Sequence, residues 1–454
     1  MKMTLPKNWI ELNFENLADA TDFVSNGSFK SLRENVEQTE IPDYAILVRL
    51  KDYNAQWNGN FRYVTKTSFD FLRKSSLKEG DLFIANVGYP GKLFIMPDLG
   101  QPMTIGPNGL RIRANKLTSN KFLAYFYSSP IGKERIQNIV AGSAQQKFNK
   151  TGFRKTKVYL PPRPEQDRIV AKIDVLMAQV ETMQKSLERI PQLLKDFRQQ
   201  VLTQAVTGKL NLNNGLNDSA LMLRTLSIEN LVKSLKKDIR TGPFGSTLKK
   251  EEHQLDGIPV WGIESIGKEG KFTGKNKIFV TKEKAAKLKS FEVKGGDVII
   301  SRSGTVGELC VLPDNIPYGL ISTNLMKIVL NKVVIISKFF CWIIKADPGI
   351  LNRLEELCKG STRLFLTQTI LQKLEFNIPT LKEQQEIVGY VDQLFIKADT
   401  IEDQYRGLKT KIDTLPQAIL HKAFKGELVE QLPTDGDAKE LLKEIEALKK
   451  LKVK

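Results

Sequence analysis

Arg302 and Ser303 interrupt an apolar run in VIISRSGTVG, and Asn86 and Tyr89 interrupt another in LFIANVGYPG. Arginine offers paired donors that match the two acceptors on a guanine edge, and asparagine offers a donor and an acceptor that match adenine. Lysine, serine and threonine suit phosphate oxygens, which place a protein on a polyanion without specifying its sequence. The polar residues beside the glycines are therefore candidate contacts to a duplex. They are Asn86, Tyr89, Ser143, Gln145, Lys147, Arg240, Thr241, Arg302, Ser303, Thr305, Ser361 and Arg363. At any single position, neutral divergence competes with base contact as the explanation.

Catalysis has little to work with. The two histidines, His253 and His421, lie far apart in sequence. The three cysteines, Cys310, Cys341 and Cys358, are odd in number and lack metal-ligand spacing, so they read as buried thiols of a reducing compartment. No catalytic group and no metal site is assigned. A methyltransferase should carry an Asn/Asp-Pro-Pro-Tyr/Phe run, and the only Pro-Pro here stands in LPPRP (160–164). A nucleotide-driven motor should carry GxxxxGK[ST], and no Gly-Lys is followed by Ser or Thr. Nuclease carboxylate sets are too degenerate for the sequence to decide.

Two basic stretches carry these candidates. The net charge of +18 falls mainly in 1–160 and 213–378, leaving 161–212 and 379–454 close to neutral. Separate basic blocks point to a polyanion, nucleic acid first. Apolar residues make up 41% of the chain and charged residues 26%, as in ordinary globular proteins. No apolar run is long enough to span a membrane, and MKMTLPKNWIELN lacks the apolar core of a signal peptide, so the expected location is the cytoplasm.

The blocks are copies of each other. LKEGDLFIANVGYPGKLFIMPD (77–98) matches VKGGDVIISRSGTVGELCVLPD (293–314) at an offset of 216. EQDRIVAKIDVL from Glu165 matches EQQEIVGYVDQL from Glu383 at an offset of 218. The shared residues are glycine, aspartate, proline and apolar positions, which belong to turns and core; the unshared ones are polar and stand beside them. Short strands broken by Gly, Pro and Asn alternate with helical stretches, so each block is mixed α/β, of the α+β kind.

The segments between the blocks are helices. Ile169, Ile173, Leu176, Val180, Met183 and Leu187 step by four and three, as do Ile387, Val391, Leu394, Ile401, Tyr405 and Leu408 around Ala398. That is a coiled-coil seam, too narrow for one helix to bury alone. The economical arrangement is an intramolecular antiparallel pair separating two similar globular domains. Pro191 and Pro416 predict kinks or breaks, and Gly208 and Gly426 predict the C-terminal stops. The expected organisation is 1–160 and 213–378 as the two domains, 161–212 and 379–432 as spacer helices, and 433–454 as a tail helix. The tail carries Leu441, Leu442, Ile445 and Leu448 on one side, for packing on a partner or the helical pair, or for solvent.

With IRTGPFGSTL (239–248), GGDVIISRSGTVG (295–307), ISTNL (321–325) and two proline-then-EQ helices ending TGKL (207–210) and KGEL (425–428), the chain resembles the specificity subunit of type I restriction–modification systems. In the first block, VSNGSFKSL (24–32) is the loose match to TGPFGSTL. The resemblance implies two target recognition domains, each reading half of a split site on double-stranded DNA, with the helices setting the unread gap. It implies no catalysis by this chain. It further implies docking of two modification subunits and recruitment of restriction/translocase subunits, these partners using S-adenosylmethionine, ATP and magnesium. Two rival classes remain: a stand-alone DNA methyltransferase or nuclease with unrecognised catalytic motifs, and a coiled-coil scaffold without DNA binding.

Overall fold

The structure, a computed structural model, describes residues 5–115, 118–143, 145–210, 223–244, 247–267, 270–303, 306–358 and 365–452. It divides into two compact units, Met1–Glu188 with Gly407–Lys454, and Arg189–Arg406. Each unit takes helix from both copies of the repeat. Among the described residues no helix is long and apolar enough to cross a membrane.

The first unit centres on an antiparallel sheet in the order Ala18–Asp22, Gly109–Ala114, Leu82–Ala85, Leu93–Ile95. Leu82, Phe83, Ile84 and Ala85 are all buried, because both faces of this strand are covered. Leu82 and Ile84 cluster with Phe122 and Phe126 of the helix Asn120–Ser128. Phe83 and Ala85 cluster with Ile46, Val48 and Ile105, from a second sheet in which Ala45–Val48 runs parallel to Met103–Ile105.

The second unit repeats the plan. Its central sheet runs Ile239–Thr241, Leu325–Ile328, Val298–Ser301, Leu309–Val311. Val298 and Ile300 face one cluster and Ile299 the other. Its companion sheet again holds one parallel pair, Ile258–Trp261 with Gly319–Ile321. The internal repeat and the mixed α/β character expected from the sequence are both present.

The shared Gly-Asp pairs are turn chemistry. Asp81 accepts from the Lys78 amide at 2.9 Å and Asp297 from the Lys294 amide at 2.8 Å. Gly80 and Gly296 supply the left-handed backbone, at φ 79° and 82°. Burial raises the Asp297 carboxyl above its ordinary value, while Asp81 is held by a two-pronged contact from Arg113 at 2.7 and 2.6 Å. Cys310 and Cys341 are buried free thiols, and burial pushes Cys310 up to about 12.

The repeated EQ explains the helix starts. Gln166 and Gln384 are wholly buried and donate to the carbonyls of Pro161 and Pro379, each at 3.0 Å. The two glutamates have parted ways. Glu383 caps its helix, accepting from the Thr380 amide at 2.7 Å. Glu165 is buried and accepts from Trp9 Nε1 at 3.0 Å and Asn8 Nδ2 at 3.1 Å. Both helices end alike: Lys209 N donates to Gln204 O and Glu427 N to Lys422 O, each at 2.9 Å, around Gly208 and Gly426 at φ 72° and 76°.

The two prolines behave differently. The first helical segment breaks at Arg189, between Arg163–Glu188 and Ile190–Val206, and Pro191 sits in the new helix's first turn, where its missing N–H is not needed. The second runs unbroken from Leu381 to Lys425 through Pro416, which lacks the N–H that an interior helical residue donates.

The helices pair antiparallel within each unit. In the first, Gln184 donates to Asp413 at 3.2 Å, and Ile169 and Ile173 share a core with Leu420, Ala423 and Phe424. In the second, Arg198 reaches Asp399 at 2.5 Å and Glu402 at 3.2 Å, and Val201, Ala205 and Val206 share a core with Ile387 and Val391. Part of the expected seam is not buried. Met183 and Leu408 in the first unit are 40% and 48% exposed, and Ile401 in the second is 48% exposed. Val180, Ala398 and Ile412 are buried, and Leu176, Leu187, Leu394 and Tyr405 are intermediate. Ile169, Ile173, Ile387 and Val391, which share their cores with side chains of the globular part, are buried to 1% exposure or less.

The tail helix, Ala438–Lys452, seats on the first unit. Ala438 and Leu441 are buried, the Ala438 amide donates to Asn8 O at 3.1 Å, and Arg168 grips Asp435 at 2.6 and 2.7 Å.

Candidate nucleic-acid interface

Five of the sequence-predicted residues meet in the first unit. Asn86 leaves the central strand Leu82–Ala85 with its amide on Asn108 O (3.2 Å) and its carbonyl receiving the Phe148 amide (3.0 Å). Val87 bridges to Lys147, and the Gly88 amide donates to Gln146 O at 3.1 Å. The turn carrying Asn86 and Tyr89 is thereby fastened to the loop carrying Ser143, Gln145 and Lys147. Tyr89 is 71% exposed, and the three loop residues are exposed too. The Asn86 carboxamide turns inward: Nδ2 donates to Phe148 O at 3.4 Å, and Oδ1 is buried without a hydrogen-bond partner among the described residues.

The second unit builds the same frame around a different side chain. The Arg302 amide donates to Asn324 O and its carbonyl receives the Leu366 amide, both at 2.9 Å. Ser303 Oγ donates to Asn324 Oδ1 at 2.9 Å. The Arg302 guanidinium lies over two rings, 5.5 Å from the centroid of Phe244 and 5.9 Å from that of Phe365. These rings are 60% and 40% exposed. Burial holds the guanidinium below its ordinary value, and Nε is buried with no hydrogen-bond partner among the described residues.

The motif glycine explains how Phe244 arrives there. A Cβ on Gly242 would stand 1.9 Å from Ser322 O, so only glycine lets TGPF lie against ISTNL. The Gly242 amide donates to Leu325 O at 2.9 Å, and Thr323 Oγ1 to Pro243 O at 2.5 Å.

Arg240 is not part of this cluster. It pairs opposite Lys327 on the sheet, three strand positions from the level of Asn324, roughly 10 Å away at ~3.3 Å per residue. Thr241 lies between, at the strand end that leads into Gly242. Thr305, Ser361 and Arg363 lie outside the described residues. The sequence-level selection missed Phe244, Phe365 and Asn324. The signal for Phe244 was an aromatic between Pro and Gly in a turn; for Phe365 it was an aromatic opposite Lys147 of the other copy.

Strand pairing also corrects the match at the start of the blocks. Asp22 stands opposite Leu110, and Thr241 opposite Met326, the counterpart of Leu110. Asp22, not Val24, is therefore the structural equivalent of Thr241.

Comparison with known proteins places these observations. A family model described as "Type I restriction modification DNA specificity domain" matches residues 15–192 and again 238–409. The type I restriction enzyme EcoKI specificity subunit of Escherichia coli K12 is 26% identical over 453 residues, covering 94% of this chain and 90% of that protein. The StySPI specificity subunit of Salmonella potsdam is 30% identical over 324 residues, covering 70% and 68%. The crystal structure of the HsdS subunit from Thermoanaerobacter tengcongensis superposes with a TM-score of 0.60 at 18% identity, covering 94% of this chain and 99% of that one, and shares its fold.

Proposed function

The chain belongs to the type I restriction–modification DNA specificity family, and from that premise we propose that each unit reads one half of a bipartite duplex target. The recognition surfaces belong to residues 1–160 and 213–378, and the helices 161–212 and 379–432 fix the unread gap. Half-sites read from one face of a duplex lie near a multiple of about 34–36 Å apart, and a stiff helical pair imposes such a spacing where a flexible linker does not.

One observation carries the reading: the same main-chain frame presents an inward asparagine and exposed tyrosine in one unit, and an arginine between two rings in the other. A duplicated scaffold with unlike tips is what two different half-sites require. The basic excess of both blocks supplies sequence-independent, salt-sensitive affinity.

Modification subunits dock on the helices. Met183 and Leu408 in the first unit, and Phe197 and Ile401 in the second, leave apolar surface wet along the seam, which a pair serving only itself would gain by burying. Methyl transfer from S-adenosylmethionine, and ATP- and magnesium-dependent restriction, fall to two modification subunits and the restriction subunits. This chain supplies no catalytic group to either. Mapping methylated adenines across a genome that carries this chain and its modification subunits tests the reading. A motif in two blocks with a fixed gap is expected; an uninterrupted motif, or none, overturns it.

A further inference from the structure

We propose that Arg302 reads a guanine in the half-site of the second unit, held for that purpose between Phe244 and Phe365. The inference rests on the reading of this unit as a recognition domain and goes further by naming a residue and a base.

Three features distinguish this arginine from a surface cation. Its main chain is fixed on both sides, by Asn324 O and by the Leu366 amide. Its guanidinium is flanked by two aromatic rings, an arrangement that favours the planar, weakly hydrated cation of arginine over the ammonium of lysine. Its Nε is buried without a partner, and no carboxylate is paired with it among the described residues. An arginine kept only for stability would find an acid or a carbonyl, as Arg111, Arg113 and Arg168 do.

The flanking rings restrict the rotamers of Arg302 before any ligand arrives, so less freedom is lost when its paired N–H donors engage. A planar fork with two parallel donors fits the O6 and N7 acceptors of guanine in the major groove, the commonest specific contact of arginine. A phosphate contact needs no such preorganisation, since a mobile lysine serves it. Ser303, whose hydroxyl is engaged with Asn324, stands beside it as part of the frame. Phe244 and Phe365 are positioning residues, acting through the arginine.

The test is selection from a library of fully random duplexes, using the full chain assembled with its modification subunits. Wild type, Arg302→Lys, Arg302→Ala and Phe244→Leu are compared. Wild type is expected to select a split motif. In Arg302→Lys and Arg302→Ala, one G·C pair in one half should lose discrimination by roughly ten- to a hundredfold, while the other half of the motif persists. Persistence of that other half shows that the variants fold and assemble. Phe244→Leu should weaken selection at the same base pair and at no other. If both Arg302 variants select the wild-type motif, with affinity lowered evenly across sequences and a salt slope reduced by about one, Arg302 is a phosphate contact and the proposal fails. A wild-type chain that selects no split motif removes the underlying reading and the proposal with it, an outcome distinct from an intact motif indifferent to Arg302.

Discussion

Arg111 and Lys327 occupy the same position in the two units, and each sends its charged end to a main-chain carbonyl on the neighbouring sheet: Ser76 O at 3.0 Å and Glu292 O at 2.5 Å. Both are nearly enclosed, at 7% and 8% exposure, and burial pushes both below their ordinary pKa. The duplication preserved a cation that ties two sheets together, while the chemistry of that cation drifted.

Arg111→Met should therefore destabilise the protein by about 2–4 kcal/mol, because the carbonyls of Lys74 and Ser76 and the carboxylate of Asp19 lose their donor together. Arg111→Lys, which copies the second unit's solution, should cost less than half of that. Urea denaturation of the two variants checks the ranking; equal losses would show that the cation's charge and reach are irrelevant.

Glu165 makes a pH prediction. Burial, foremost, raises its carboxyl above the ordinary glutamate value, against the lowering hydrogen bonds from Trp9 and Asn8. The folded chain thus holds this proton more tightly than the unfolded chain does. The stabilisation from this group is full below the ordinary glutamate range and is lost as pH rises through the raised value. Glu165→Gln should remove that slope, so the variant gains on wild type as pH increases from acid toward neutral. Denaturation midpoints measured across that range should converge or cross in that direction, and the opposite trend would contradict it.

Gly242→Ala should displace the turn that carries Phe244, since its Cβ would overlap the Ser322 carbonyl. A cost of about 1–3 kcal/mol in stability is expected. Binding to the second unit's half-site should weaken while the first unit's half-site is bound as before. Competition with duplexes mutated in either half reads this out.

Leu408 and Ile412 belong to one seam but differ in exposure, at 48% and 4%. Leu408→Lys should change stability by no more than about 0.5 kcal/mol, yet reduce co-purification of the modification subunits. Ile412→Lys should unfold or destabilise by about 3 kcal/mol or more, from an unpaired buried charge. Recovery of a full complex with Leu408→Lys would remove the helices' exposed seam as the docking surface.

Much of the fold was legible because it rests on periodicity and repetition. Ile169, Ile173, Ile387 and Val391 announce their helices by spacing, and Gly208 and Gly426 announce the stops because only a left-handed residue closes those turns. Gly80-Asp81 and Gly296-Asp297 mark turns for the same local reason. What could not be read depends on surroundings. Pro191 and Pro416 are the same residue in the same pattern, yet one lies beside a break and the other does not. Glu165 and Glu383 are matched letters, but only one finds Trp9 and Asn8 beside it. Met183, Ile401 and Leu408 keep the seam's period while standing where nothing closes over them. At the tips, Asn86 and Arg302 were legible as a contrasting pair, but the inward turn of the first and the rings around the second are set by Phe148, Phe244 and Phe365, distant in sequence from each.

The core of the first unit recruits Leu420, Ala423, Phe424 and Leu441 from the far end of the chain, whereas the second unit is one unbroken stretch, Arg189–Arg406. During synthesis the half that is translated later is thus the earlier to have all its parts. The half that emerges first must wait, with Trp9 and Phe122 lacking their final neighbours, until Leu420, Ala423, Phe424 and Leu441 have also been made. A released chain truncated after residue 406 should accordingly protect residues 189–406 from protease and leave the earlier half open to it.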